Sequence, residues 1–326
     1  MEFVNEIIKP VFPSKGRFRW VSKKCKLFLK LEKEHSLFRY PQNVLLKRSI
    51  ICIALIIGFL SAQQSGHQFI EYQRIQNRLQ QGWNTWNTSS VLQQVLLPQG
   101  FAINLAFKQH YFLEEQYLSS ALIDRRGDFS ETIRPGPHAY DGSYTQLEIQ
   151  WEGLDAKIET AHAGKDLVIL ISPNSIPADR MKVIIESGML WNRQGNLSRK
   201  INQLKAVCPG KTIKVFTTSV PVDDDPYIDV KTPYLALWLD GEIGISTGKK
   251  RTLSEIKKAI EIQKVRLQSE AEKFGELAEA YIAVQAGIAW NLIYEPKFDR
   301  VVATVGRLWN EEYGGFCTFG WDNFFL

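Results

Sequence analysis

From residue 102 onward, short apolar runs recur at strand length. Ala102–Phe107, Leu147–Trp151, Leu167–Ile171, Lys182–Ile185, Ile213–Thr217, Tyr234–Leu239 and Glu242–Ser246 are rich in β-branched and aromatic residues. Between them stand Arg134-Pro135-Gly136-Pro137, Asp141-Gly142 and Asp240-Gly241, all turn-forming combinations. Many strands without long intervening helices predict an antiparallel β-sandwich over residues 66–250.

The period changes after Arg251. Thr252-Leu253-Ser254-Glu255 has the form of a capping box, in which the Thr hydroxyl accepts from the third backbone N–H and Glu255 reaches back. Ile256, Ala259, Ile260, Val265 and Leu267 follow with charges between them, so an amphipathic helix is expected, bent or broken at Gly275. A more apolar helix is expected from about Glu276 to Leu292, ending before Pro296. Residues 251–326 therefore read as a helical linker and the start of a helical domain.

Charge divides the chain unevenly. Residues 1–48 hold 12 Lys and Arg against 4 Asp and Glu, leaving 28 against 31 in the rest. The leader thus carries +8 and the remainder −3, so the globular part has no basic patch large enough to suggest a nucleic-acid protein. Lys47-Arg48 precedes fourteen mostly apolar residues, 49–62, which suits a signal peptide cleaved after Ala62. The run is shorter than the roughly 20 residues a spanning helix needs. Residues 1–48 are long for what normally precedes such a segment. Either translation starts later, near Leu45, or 49–62 is an uncleaved membrane anchor. A periplasmic or secreted location is expected in the first case, membrane attachment in the second.

No other chemistry stands out in the middle of the chain. Asp223-Asp224-Asp225 precedes Pro226 and matches no calcium-loop spacing, so it reads as a solvated turn. His67, His110, His138 and His162 are scattered, and there is neither a phosphate loop nor a Gly-x-Ser-x-Gly elbow. No metal and no cofactor are expected. Cys208 and Cys317 read as free thiols, with pairing as the alternative in an oxidising compartment. Trp83-Asn84-Thr85-Trp86-Asn87-Thr88 doubles a phrase; its tryptophans are expected in the sandwich core, the alternative being a loop that walls a sugar site. Asn87-Thr88-Ser89 and Asn196-Leu197-Ser198 are glycosylation sequons.

The C-terminal stretch is different. Trp290 to Leu326 is crowded with aromatic residues and sets Asp322 between Trp321 and Asn323. Aromatic faces stack on the C–H faces of sugars, and a carboxylate accepts from their hydroxyls; a buried aromatic core with a capping Asp is the plainer reading. Tyr294-Glu295-Pro296, Arg307-Leu308-Trp309, Gly314-Gly315-Phe316 and Gly320-Trp321-Asp322-Asn323-Phe324-Phe325, in this order, resemble the entry to the (α/α)6 barrel of glycoside hydrolase family 63. Asn323 departs from that family's Trp-Asp-Thr or Trp-Asp-Glu core. The resemblance implies an inverting hydrolase of α-glucosides or related α-linked oligosaccharides, with a β-sandwich before the barrel. It gives Asp322 a place against the sugar, with Trp321 and Trp309 stacking on the ring.

The same resemblance puts the general acid in a Glu-Ser-Gly-x-Asp segment and the base in a late Glu, neither of which these 326 residues contain. Inversion needs two carboxyl groups roughly 6.5–9.5 Å apart. The expectation is therefore an N-terminal fragment that ends early in the barrel and is inactive alone. The alternatives are a non-catalytic carbohydrate-binding sandwich and an inactive truncated gene product.

Overall fold

Strand β3 (Phe101–His110) shows how the sequence builds sheets. Phe101, Ile103, Leu105 and Phe107 enter one core, while the alternate residues Ala102 and Ala106 belong to separate apolar clusters on the opposite face. Both faces of this strand are therefore covered, which explains a run with so little polar relief. The computed structural model describes residues 69–86, 89–110, 115–128, 130–177, 180–222 and 230–304, and the backbone of 306–307 and 316–317. By its contacts the chain divides into Met1–Ile70 and Glu71–Leu326.

Two antiparallel sheets share the main core. The six-stranded sheet runs β1 (Gly82–Asn84), β2 (Gln93–Leu97), β3, β9 (Met181–Met189), β13 (Tyr234–Trp238), with β4 (Glu115–Leu118) also on β3. The eight-stranded sheet runs β10 (Asn196–Lys200), β11 (Gln203–Cys208), β12 (Lys211–Thr217), β14 (Ile243–Thr247), β8 (Asp166–Pro173), β7 (Leu154–Ala163), β6 (Tyr144–Trp151), β5 (Thr132–His138). Ile103, Leu105, Val183 and Leu237 from the first meet Ile149, Ile158, Ile169 and Ile245 from the second. Two such sheets on one core are the layers of a β-sandwich.

All seven strands expected from the apolar runs are present, and the expected turn at Asp141-Gly142 joins β5 to β6. Arg134-Pro135-Gly136-Pro137 is a correction: it lies inside β5, not between strands. β5 is an edge strand with a register shift between Pro135 and His138, the setting in which a sheet tolerates proline. Trp83 and Trp86 are each 2% exposed and pack in the core, as the plainer reading of the doubled phrase expects.

Helix α1 spans residues 69–79. Helix α2 (Leu253–Glu272) opens with the expected capping box at Thr252 and Glu255. Its Ile256, Ile260 and Leu267 pack on Tyr144, Ala161, Val168 and Leu170, covering part of the eight-stranded sheet. Gly244 allows this approach, since a Cβ there would lie 2.6 Å from Cδ1 of Ile256. The chain breaks at Gly275, at φ +56°, through a 3-10 turn (Gly275–Leu277) into α3 (Ala278–Trp290).

α3 ends before Leu292, which instead opens hairpin β15 (Leu292–Glu295) and β16 (Arg300–Ala303). Leu292, Tyr294 and Val301 of this hairpin pack on Trp86, Val95 and Leu97. The Gln76 side chain of α1 donates to the Val301 carbonyl at 2.8 Å and accepts from its N–H at 3.0 Å. Beyond it, Gly306–Arg307 (β17) pairs with Phe316–Cys317 (β18). No helix among the described residues is long and apolar enough to cross a membrane, and the apolar run 49–62 lies outside them.

Candidate functional site

A groove of about 610 Å³ runs between α3 and β5, in the size range of small-ligand sites. Ile282, Ala283 and Ala286 form one wall and Pro135–Pro137 the other, with Trp290 and Asn291 at its end. Two facts of the sequence shape it. The prolines and Gly136 leave β5 with little side chain to fill the space, and α3 presents small residues opposite. The Trp290 indole N–H donates to the Gly136 carbonyl at 3.0 Å, which fixes the ring between helix and strand.

Polar contacts hold the groove from behind. His138 meets the Trp290 ring edge-on, with centroids 4.7 Å apart. Its Nδ1 lies 2.7 Å from the Ala139 carbonyl, which can only accept, so that nitrogen carries a proton. Its Nε2 is hydrogen-bonded to the Thr85 hydroxyl at 2.9 Å. Thr85 belongs to the doubled Trp-Asn-Thr phrase, whose contribution is thus to buttress the groove from within the fold. Asn84 donates to the Tyr140 carbonyl at 3.2 Å and His162 Nε2 to the Trp83 carbonyl at 2.9 Å. Burial holds the His162 ring below its usual pKa, against the opposing pull of Trp83 and Asp141, so the ring is neutral near pH 7.

Asp141 closes this network. Its carboxylate meets Arg78 at 2.5 Å and Arg266 at 3.1 Å, and it accepts from the Ser143 N–H at 3.1 Å. Burial would raise its pKa, but Ser143 and the two guanidinium groups outweigh that and hold it below the usual range. The turn between β5 and β6, α1 and α2 are pinned together at this one carboxylate. Sequence reading identified the Asp141-Gly142 turn without this role, because Arg78 and Arg266 lie 63 and 125 residues away.

The chemistry of the groove is limited. Glu279 is its sole carboxylate and Asn291 its other polar side chain, whose amide donates to the Gly287 carbonyl at 2.7 Å. One carboxylate on apolar walls suits binding and orientation, not the paired acid and base of glycosidic inversion. Trp309, Trp321 and Asp322 lie outside the described residues. The hairpin leading toward them is held at Tyr294: Arg193 donates to its hydroxyl at 3.0 Å and to Asp299 at 2.6 Å, and the hydroxyl donates to Asp299. Burial and the Asp299 hydrogen bond push the Tyr294 phenol up to about 12.

The outer face of the six-stranded sheet carries a second polar cluster. Tyr117 donates to Glu186, and Asn104 donates to Glu186 at 3.0 Å and to the Ser119 carbonyl at 2.8 Å. Burial first, then Glu186, raises the Tyr117 pKa, so the phenol stays protonated. Trp238 carries Arg180 at 4.3 Å and Lys182 at 4.5 Å from its ring centre, which occupies the aromatic surface a sugar would stack on. This cluster therefore reads as structural. Compared with models of known protein families the chain matches none, and no curated protein matches it.

Proposed function

We propose that this chain is the N-terminal part of an exported α-glycosidase of the family 63 kind, in which the sandwich carries an (α/α)6 barrel whose helices begin with α3. The observation that carries the reading is α3 itself. Its thirteen residues, AEAYIAVQAGIAW, include one charge, and only Ala289 and Trp290 are buried. Val284 is 62% exposed, and Leu277 just before the helix 66%. A helix apolar all round belongs inside a layer of other helices, because apolar side chains left facing water forgo the free energy of burial.

On this reading the hairpin clamped by Arg193 and Asp299 leads into the segment where Asp322 holds the sugar, with Trp321 and Trp309 against its ring. The catalytic acid and base come from later parts of the barrel. Expression of the gene with its in-frame continuation beyond codon 326, assayed on α-linked glucose oligosaccharides by NMR, should give the β-anomer first. Asp322→Asn should then lower kcat at least about 100-fold while leaving the fold intact. A stop codon after Leu326, or a folded longer chain without hydrolysis, overturns the enzyme reading.

The groove favours a second reading, a carbohydrate-binding protein without hydrolysis. Its aromatic end, single carboxylate and amide can orient a polyol but cannot cleave it. Tryptophan fluorescence during titration with α-linked oligosaccharides tests this: saturable quenching lost in Glu279→Gln supports it, and no change in the parent chain rejects it.

A further inference from the structure

The eight-stranded sheet is covered by α2 over β14, β8, β7 and β6, but not over β10, β11 and β12. Pairing registers place Ser198, Lys205 and Lys214 in one row of that uncovered face and Lys200, Gln203 and Phe216 in the next. Residues 196–217 contain no Asp or Glu, and Lys249 and Lys250 follow directly after β14. None of Lys200, Lys205, Lys214, Lys249 and Lys250 has an ion-pair partner among the described residues. The nearby Glu242 is paired with Lys257 at 2.5 Å. Lys200 on the edge strand would serve to block strand addition, but Lys205 and Lys214 sit on the second and third strands, where that explanation does not reach.

An apolar element accompanies the charge. Ile201, on the tight turn joining β10 to β11, is 85% exposed and lines a groove of about 590 Å³ together with Lys200, Phe216 and Lys250. Val220, just past the end of β12, is 78% exposed, and Ile176, just past β8, 67%. The registers bring these three loops to the same end of the sheet. A soluble polyanion would use the lysines and leave the aliphatic tips idle. A bilayer uses both, through headgroup phosphates and interfacial burial of side chains.

We infer that the outer face of β10, β11 and β12 docks on an anionic lipid bilayer, with Ile201 entering the interface and Lys200, Lys205, Lys214 and Lys250 meeting the headgroups. This reading is independent of any glycosidase activity. It is tested with the full chain and vesicles of phosphatidylcholine, alone or mixed with phosphatidylglycerol. Binding through residues 49–62 would be common to both vesicle types, so the increment due to phosphatidylglycerol isolates the lysine face.

That increment should disappear in high salt and fall about 25-fold in Lys205→Gln/Lys214→Gln, at about five-fold per lysine. Ile201→Ser should weaken it further without changing circular dichroism. No increment in the parent chain overturns the inference, as does a double variant that binds like the parent. Equal binding to dextran sulfate that is indifferent to Ile201→Ser assigns the face to a soluble polyanion and overturns it as well.

Discussion

Gly142 stands at φ +70°, and a Cβ there would lie 2.4 Å from the Trp83 carbonyl oxygen and 2.6 Å from Cγ of Asn84. Backbone strain and collision act together, so Gly142→Ala should destabilise the fold by about 3 kcal/mol, read as a lower urea midpoint. Its neighbours add a pH dependence. The His162 pKa is lowered from an ordinary 6.5, so the unfolded chain binds the extra proton more readily. Stability from this burial is present above pH 6.5 and is lost as pH falls toward the folded value. Asp141, also lowered, contributes above its ordinary 3.8 and fails only at stronger acid. His162→Gln keeps a donor for Trp83 and should flatten the stability profile just below pH 6.5; an unchanged slope would place the effect elsewhere. At this scale the sequence disclosed the Asp141-Gly142 turn but not its partners, since no local pattern records contacts made across the whole fold.

Among the elements, legibility followed side-chain type. β3, β8 and β9 are Ile-, Val- and Phe-rich and could be read directly. β7 (LDAKIETAHA) could not, because Ala156 on the core face and Ala161 beneath α2 lack the β-branched signal while both are fully buried. β5 was hidden by its prolines, which mark turns unless a free sheet edge accepts them. The capping box was visible because both its partners are local. The end of α3 was less so: Leu292 continues the apolar run, yet it turns into a hairpin because Tyr294 and Val301 find cover on Trp86 and Val95. That hairpin depends on its clamp. Arg193→Ala should leave the sandwich folded but speed proteolytic cleavage within residues 296–299, while cleavage elsewhere stays unchanged. Equal cleavage in both proteins would show that the apolar contacts alone hold the hairpin.

For the whole molecule, the sandwich was legible from periodicity, whereas the candidate groove was not, since it joins Trp290 to Gly136 across 154 residues. The lysine face was equally hidden, being spread over three strands that only their register aligns. The decisive question at this scale is what lies against α3, and opposite charge effects in two chains answer it. Leu277 and Val284 are exposed here, so Leu277→Lys/Val284→Lys should leave the melting temperature of the 326-residue chain within a degree or two, at about ±0.5 kcal/mol, and reduce its self-association. In a longer chain whose later helices cover α3, the same lysines become buried charges and should cost about 3 kcal/mol or more. A longer chain that tolerates them as well as the short one leaves α3 outside any barrel, and the proposed helical domain would then have to be built without it.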